Sequence, residues 1–93
     1  MIQVRRVVGN SMLPAYKNGQ FVIVSHFKKP SVGTVVIAVQ NGKEVMKRVL
    51  SIDKNSMLDV RGDNQDQSTD SRQLGKVPMR KVLGVVVWPK RVL

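Results

Sequence analysis

One stretch decides the fold of this chain: Thr34-Val35-Val36-Ile37-Ala38-Val39-Gln40-Asn41-Gly42-Lys43-Glu44-Val45-Met46-Lys47-Arg48-Val49-Leu50-Ser51-Ile52. The dipeptide at positions 41 and 42 is a strong signal for a β-hairpin, because Asn-Gly accepts the positive φ angles of a type I′ turn. Residues 34–39 are rich in β-branched side chains, which is typical of a strand. We therefore predict an antiparallel hairpin that joins a strand over residues 34–39 to a strand over residues 44–52.

Segments on either side extend this hairpin into a sheet. Residues 21–24 and 57–61 predict two further strands, and residues 80–88 predict a long apolar strand that closes the fold. Residues 12–16 are expected to form a single helical turn. Residues 62–75 are polar and turn-rich, so we predict a loop there. Short strands at this spacing indicate an all-β fold, a small barrel or folded sheet of mostly antiparallel strands.

The length and composition limit what this fold can contain. The chain has 93 residues, which allows a single domain over residues 1–93. It has no cysteine and only one histidine, His26, which argues against a disulfide framework, a zinc site or a Ser-His-Asp triad. A nucleophilic serine here needs another base, which points to lysine. We expect no metal or other cofactor. The expected core residues are Val22, Val24, Val35, Ile37, Val49 and Val85.

The net charge of the chain indicates which kinds of partner it can attract. The net charge is +10, which favours nucleic acid, anionic membranes or acidic proteins, although most of the excess is expected to be solvated surface. The basic residues form no long run and aromatic residues are few, so we expect no specific nucleic-acid partner. No segment has the roughly 20 apolar residues of a membrane helix. A soluble, cytoplasmic protein is expected, with peripheral membrane contact left open.

Ser11 is a candidate nucleophile. It follows Gly9-Asn10, a turn that can present the next residue at an exposed corner rich in backbone groups. At such a corner the Ser11 N–H can point at a substrate carbonyl as an oxyanion donor. Pro14 restrains the chain just after it. The alternative is an ordinary turn serine.

Lys47 is a candidate base. Alternate side chains of a strand share a face, so Val45, Lys47 and Val49 are expected to lie on one side of the sheet. A lysine between two valines is placed to lose its hydration, and this lowers its pKa because burial penalises the charged form. The alternative is an edge-strand lysine whose amine reaches water.

The loop over residues 62–72 contains three aspartates, two serines and an asparagine. Its spacing does not fit an EF-hand calcium loop. Asp70 is spaced to pair with Arg72, and we expect it to reach Arg48 as well. Such pairing balances charge near Lys47 without placing a carboxylate against the amine, where it would raise the lysine pKa.

These three segments, together and in this order, resemble the catalytic boxes of the type I signal peptidases, over roughly residues 7–88. That family uses a Ser–Lys dyad on a β-rich fold. The resemblance implies that Ser11 is the nucleophile, that Lys47 is the general base and that Ser68 orients the lysine amine. It implies a substrate-binding role for two residues near the nucleophile, Gly9 and Met12. It implies supporting roles for six further residues: Asp70, Arg72, Arg48, Gly62, Asp63 and Asn64.

The absence of an anchor helix makes the chain most similar to the small soluble branch of this family, the maturation proteases of nickel-type superoxide dismutase. The expected function is that of a serine endopeptidase that removes an N-terminal leader from a precursor, with the nickel superoxide dismutase precursor as partner. Self-cleaving repressors share the Ser–Lys chemistry but lack the Gly-Asp-Asn loop. Two alternatives stay open: a general type I signal peptidase domain, and a basic β-barrel module that binds nucleic acid or an acidic partner.

Overall fold

The predicted hairpin lies at the centre of the sheet in the computed structural model, which describes residues 1–91. Strand β3 (Val35–Gln40) pairs antiparallel with β4 (Lys43–Ile52), from Val35 opposite Arg48 to Gln40 opposite Lys43. Asn41 and Gly42 both have positive φ angles, 53° and 74°, as a type I′ turn requires. The hairpin prediction is confirmed, with strand bounds shifted by one residue.

Seven strands form one sheet in the order β1-β2-β7-β3-β4-β5-β6, and every neighbouring pair is antiparallel. This confirms the all-β class. The other strands are β1 (Ile2–Arg6), β2 (Phe21–Ser25), β5 (Met57–Arg61), β6 (Val77–Pro78) and β7 (Val82–Trp88). The helical elements are α1 (Ser71–Leu74) and two 3-10 turns, Gln65–Gln67 and Met79–Lys81. No helix among residues 1–91 has the length and apolarity needed to cross a membrane.

Four elements differ from the sequence prediction, and one of them is the two-residue strand β6, which was not predicted. Strand β1 was not predicted, and it lies at the edge of the sheet, where strands tolerate charged residues such as Arg5 and Arg6. Strand β7 begins at Val82 because the residues before it form a 3-10 turn. Helix α1 lies inside the predicted loop, since Asp70 caps its N-terminus. The predicted turn over residues 12–16 is present, with Tyr16 N donating to Met12 O at 2.9 Å.

The sheet has an apolar core on each face. The adjacent residues Val36 and Ile37 of β3 belong to different cores, as expected for side chains that alternate along a strand. The first core comprises Val7, Met12, Tyr16, Val22, Val24, Val35, Ile37 and Val86. The second core comprises Val36, Ala38, Val49, Leu58, Val60, Val77 and Val85. All six predicted core residues are buried. Met12 and Tyr16 anchor the segment between β1 and β2 in the first core, and this segment carries Ser11.

Candidate active site

Lys47 is buried in the middle of β4, with only 5% of the residue exposed. The strand lies between β3 and β5, and Lys47 sits opposite Val36 in the register. Burial lowers the pKa of Lys47, Asp70 opposes this shift and the Arg72 guanidinium adds to it. The alternative of an edge-strand lysine in contact with water is therefore wrong, and the expected lowering of the pKa is present.

A chain of hydrogen bonds connects Lys47 to Asp70 through one hydroxyl group. Lys47 Nζ donates to Ser68 Oγ at 2.8 Å, and Ser68 Oγ donates to Asp70 Oδ2 at 2.9 Å. An ionised carboxylate can only accept hydrogen bonds, so the Ser68 hydrogen points to Asp70. Ser68 must therefore accept from Lys47, which fixes the direction of one amine N–H.

Asp70 is the centre of this polar network and is fully buried. It accepts from Gly62 N at 2.9 Å, from Arg72 N at 3.2 Å, from Arg72 Nε at 2.9 Å and from Arg72 Nη2 at 3.1 Å, in addition to Ser68. Burial by itself would raise the pKa of Asp70. The hydrogen bonds from Arg72, Gly62 and Ser68 instead hold that pKa far below its usual range. The predicted Asp70–Arg72 ion pair is confirmed.

Arg48 does not pair with Asp70, so that part of the predicted network is wrong. Arg48 Nε and Nη2 donate to the two carboxylate oxygens of Asp63, each at 2.9 Å, and Nη1 donates to Gly33 O at 2.8 Å. The reason is the alternation of β4: Arg48 points away from the face on which Lys47 meets the Asp70 network. The hydrogen bonds from Arg48 to Asp63 raise the pKa of Arg48.

The loop after β5 holds the turn that carries Ser11 through hydrogen bonds to the backbone carbonyls of that turn. Asn64 N donates to Ser11 O at 2.8 Å, and Asn64 Nδ2 donates to Asn10 O at 3.1 Å. A Cβ added at Gly62 would lie 2.7 Å from Ser11 O and would overlap Ser68 Oγ. Only glycine lets these two loops approach so closely.

One cavity brings Ser11 and Lys47 together. It has a volume of about 310 Å³, and Met12 also contributes to its wall. The hydrogen bonds of the described residues link Lys47 to Ser68, and none links it to Ser11. Sequence reasoning missed the rest of the lining: Arg5, Arg6, Val7, Val8, Ile37, Glu44, Val45 and Met46. The signal that could have found part of it is the apolar-polar alternation of residues 2–5, which is typical of a strand.

The two residues expected to bind substrate have different environments. Met12 is buried in the first core and exposes only a small part of its surface to the cavity. Gly9 is exposed and has a φ of 84°, and its N–H donates to Asn18 Oδ1 at 2.9 Å. Gly9 shapes the turn before Ser11 and is not part of the cavity lining.

Comparison with known proteins identifies the family of the chain. A search of curated proteins found no match. The sequence profile of the peptidase S24-like family, in contrast, matches residues 3–87. This agrees with the expectation of a serine peptidase-like chain. Since the match spans nearly all of the strands and both Ser11 and Lys47, the chain belongs to the peptidase S24-like family.

Proposed function

We propose that this protein is a serine endopeptidase in which Ser11 is the nucleophile and Lys47 is the general base. One observation carries the proposal: a buried lysine, with one N–H held by Ser68, lines the same cavity as a serine on a constrained turn. A lysine with a lowered pKa is a recognised base for a serine nucleophile that has no histidine partner. Residues 1–93 would form a single catalytic domain.

In the proposed reaction, the lone pair of the neutral Lys47 amine takes the Ser11 hydroxyl proton as Oγ attacks the substrate carbonyl carbon. The tetrahedral intermediate collapses when the Lys47 ammonium returns this proton to the leaving amine. The peptide C–N bond breaks and an ester to Ser11 remains. Water, activated by the same amine, hydrolyses this ester.

The Ser11 N–H is the proposed oxyanion donor. It has no acceptor among residues 1–91, whereas the carbonyl of the same residue is held by Asn64. A backbone N–H that is fixed in place and lacks a partner suits a negative charge that develops only in the transition state.

The proposed substrate is a precursor protein with a short N-terminal leader, the nickel-type superoxide dismutase precursor in particular. This choice follows the resemblance to the maturation proteases of that enzyme. The net charge of +10 would speed the encounter with an acidic precursor, and salt would weaken that effect. The cytoplasmic location expected from the sequence remains a prediction.

The test compares the full chain with Ser11→Ala, Lys47→Met and the double variant. Each protein is co-expressed with the nickel superoxide dismutase precursor and also incubated with a random peptide mixture, and products are read by mass spectrometry. All three variants should be inactive to a similar degree, because members of a catalytic unit are not additive. The matched control is Lys43→Met, which removes an exposed lysine from the same strand and should leave cleavage intact.

The outcomes separate the mechanism from the substrate. Activity in Ser11→Ala or Lys47→Met would reject the dyad. If the random peptides are cleaved while the leader of the precursor stays intact, only this substrate is rejected. Cleavage of exported precursors would favour a general signal peptidase. A binding module would be favoured by a different result: no cleavage, together with salt-sensitive binding of nucleic acid or an acidic protein. That binding should persist in the Ser11→Ala variant.

A further inference from the structure

An ion pair between Arg5 and Glu44 lies in the wall of the cavity that Ser11 and Lys47 share. It connects β1, at the edge of the sheet, to β4. Glu44 precedes Lys47 by three residues on β4, a distance of about 10 Å along the strand. An extended substrate that runs along β4 from Ser11 towards Glu44 would therefore place a side chain at the ion pair about three residues from the cleaved bond.

One edge of the Arg5 guanidinium has no acceptor. Arg5 Nη1 donates to Glu44 Oε1, and among the described residues this is the only hydrogen bond from the Arg5 side chain. Arg5 Nε is buried, so it has lost its contact with water without gaining an acceptor from the described residues. A buried donor in this state is unfavourable, and a ligand that supplies an acceptor would remove that cost.

The Nε–Nη2 edge is the edge that binds carboxylates elsewhere in this chain. Arg48, Arg61 and Arg72 each donate from Nε and Nη2 to the carboxylate of an aspartate, at distances of 2.9 to 3.1 Å. Two parallel N–H groups match the two oxygens of a carboxylate, and such charged pairs of hydrogen bonds are stronger than neutral ones. The same edge of Arg5 therefore suits a carboxylate that the described residues do not supply.

The charges of the cavity lining also favour an acidic group. Among the described residues, Glu44 is the only acidic residue in this lining, whereas Arg5 and Arg6 are both cationic. Arg6 forms no salt bridge with any described residue. An acidic side chain at this position would meet an excess of positive charge, and a basic side chain would be repelled.

We propose that Arg5 is a specificity-determining residue that binds an acidic side chain of the substrate, about three residues from the cleaved bond. The Nε–Nη2 edge would donate to this carboxylate while Nη1 stays on Glu44. The Arg5 and Glu44 side chains are 30% and 42% exposed, so the guanidinium has room to turn this edge towards the cavity. The inference rests on the proposed peptidase function for the position of the cleaved bond, but the binding of an acidic group to Arg5 does not require cleavage.

The first test uses a random peptide mixture and the unmodified chain, with the sequence around each cleaved bond read by mass spectrometry. Aspartate and glutamate should be enriched at one position about three residues from that bond. A cleaved peptide is then synthesised with glutamate, glutamine or lysine at this position. The value of kcat/KM should be about ten-fold higher with glutamate than with glutamine, and lowest with lysine.

Variants of two arginines assign this preference to its residue. Arg5→Gln should cleave the glutamate and glutamine peptides equally well. Arg5→Lys keeps the charge but loses the paired N–H groups, so it should retain only part of the preference. The matched control is Arg80→Gln, which removes the same charge from an exposed residue outside the cavity lining and should behave like the unmodified chain.

A binding measurement tests the inference even if no peptide is cleaved. The Ser11→Ala variant is incubated with the same peptide mixture, and the bound peptides are identified by mass spectrometry. These peptides should be enriched in aspartate and glutamate. The enrichment should be lost when Arg5→Gln is added to the Ser11→Ala variant, and it should persist when Arg80→Gln is added instead.

Three results would overturn the inference. The first is equal cleavage and equal binding of acidic and neutral peptides. The second is a preference that persists in Arg5→Gln with its circular dichroism unchanged. The third is a preference that Arg80→Gln removes to the same extent, which would assign it to the net charge of the surface. Binding of acidic peptides that depends on Arg5, without any cleavage, would reject the peptidase activity and support the role of Arg5.

Discussion

Replacing Asp70 with asparagine is the sharpest perturbation of the polar network. The carboxylate is fully buried and accepts five hydrogen bonds, three of them from Arg72. Asparagine has nearly the same size but no charge, and its amide nitrogen cannot accept from Arg72 or Ser68. The substitution therefore removes the negative charge without creating a cavity.

The expected loss of stability follows from this geometry. Removing one member of a buried ion pair costs about 3–5 kcal/mol. The Arg72 side chain is 24% exposed and can turn towards water, so we expect the lower end, about 3 kcal/mol. For a domain of this size this corresponds to a fall in melting temperature of roughly 12–24 °C.

Urea denaturation followed by circular dichroism measures this loss. The pH dependence adds a second measurement, because the pKa of Asp70 in the folded state is far below its value in the unfolded chain. The stabilisation by Asp70 is complete above the unfolded pKa of about 3.9 and disappears as pH falls towards the folded pKa. The stability difference between the unmodified chain and Asp70→Asn should therefore narrow in acid.

The matched control is Asp59→Asn on β5. Asp59 pairs with Arg61 at 3.1 Å, but this pair is more exposed, and among the described residues Asp59 forms no hydrogen bond with the Lys47–Ser68–Asp70 chain. Its loss should have little effect on stability. A loss below about 1 kcal/mol in Asp70→Asn, or a difference that stays constant from neutral to acidic pH, would refute the reasoning.

Three further predictions concern the other members of the site. The rate of cleavage should rise with pH through the lowered pKa of Lys47, because only the unprotonated amine accepts a proton. Initial rates measured across pH should show no activity for Lys47→Arg, because a guanidinium keeps its proton. Ser68→Ala should lower kcat in steady-state assays but cost only about 1 kcal/mol in urea denaturation; a stability loss as large as that of Asp70→Asn would contradict an orienting role. Gly62→Ala should lower both activity and melting temperature, because its Cβ would lie 2.7 Å from Ser11 O; unchanged values of both would show that the two loops can separate without cost.

The parts of the fold that the sequence predicted are those set by neighbours along the chain. The type I′ turn defines the central hairpin over a few residues, and alternation along β4 correctly placed Lys47 and Val49 inside the sheet. The position of β7 between β2 and β3 could not be derived in this way. It depends on pairing between strands that are far apart in sequence, and local periodicity contains no information about such pairing.

The same limit applies to the site. The Asp70–Arg72 pair spans two residues and was predictable from spacing, whereas the polar loop offers Arg48 three aspartates. Alternation along β4 fixes which face Arg48 occupies, but the loop conformation decides that Asp63 reaches that face. The contribution of Arg5 to the cavity was missed because an edge strand with exposed and charged residues has a weak strand signal.

The single hydroxyl between Lys47 and Asp70 reconciles two opposing requirements of the proposed dyad. A carboxylate in direct contact would hold the amine in place but would raise its pKa, and burial alone would lower the pKa but leave the amine free to rotate. Ser68 holds one N–H of Lys47 through a neutral group, while Arg72 forms an ion pair with the Asp70 carboxylate. Burial can then remain the largest influence on the pKa of Lys47. Asp70 thus orients the amine through Ser68, and the direct ion pair of Asp70 is with Arg72 instead of Lys47.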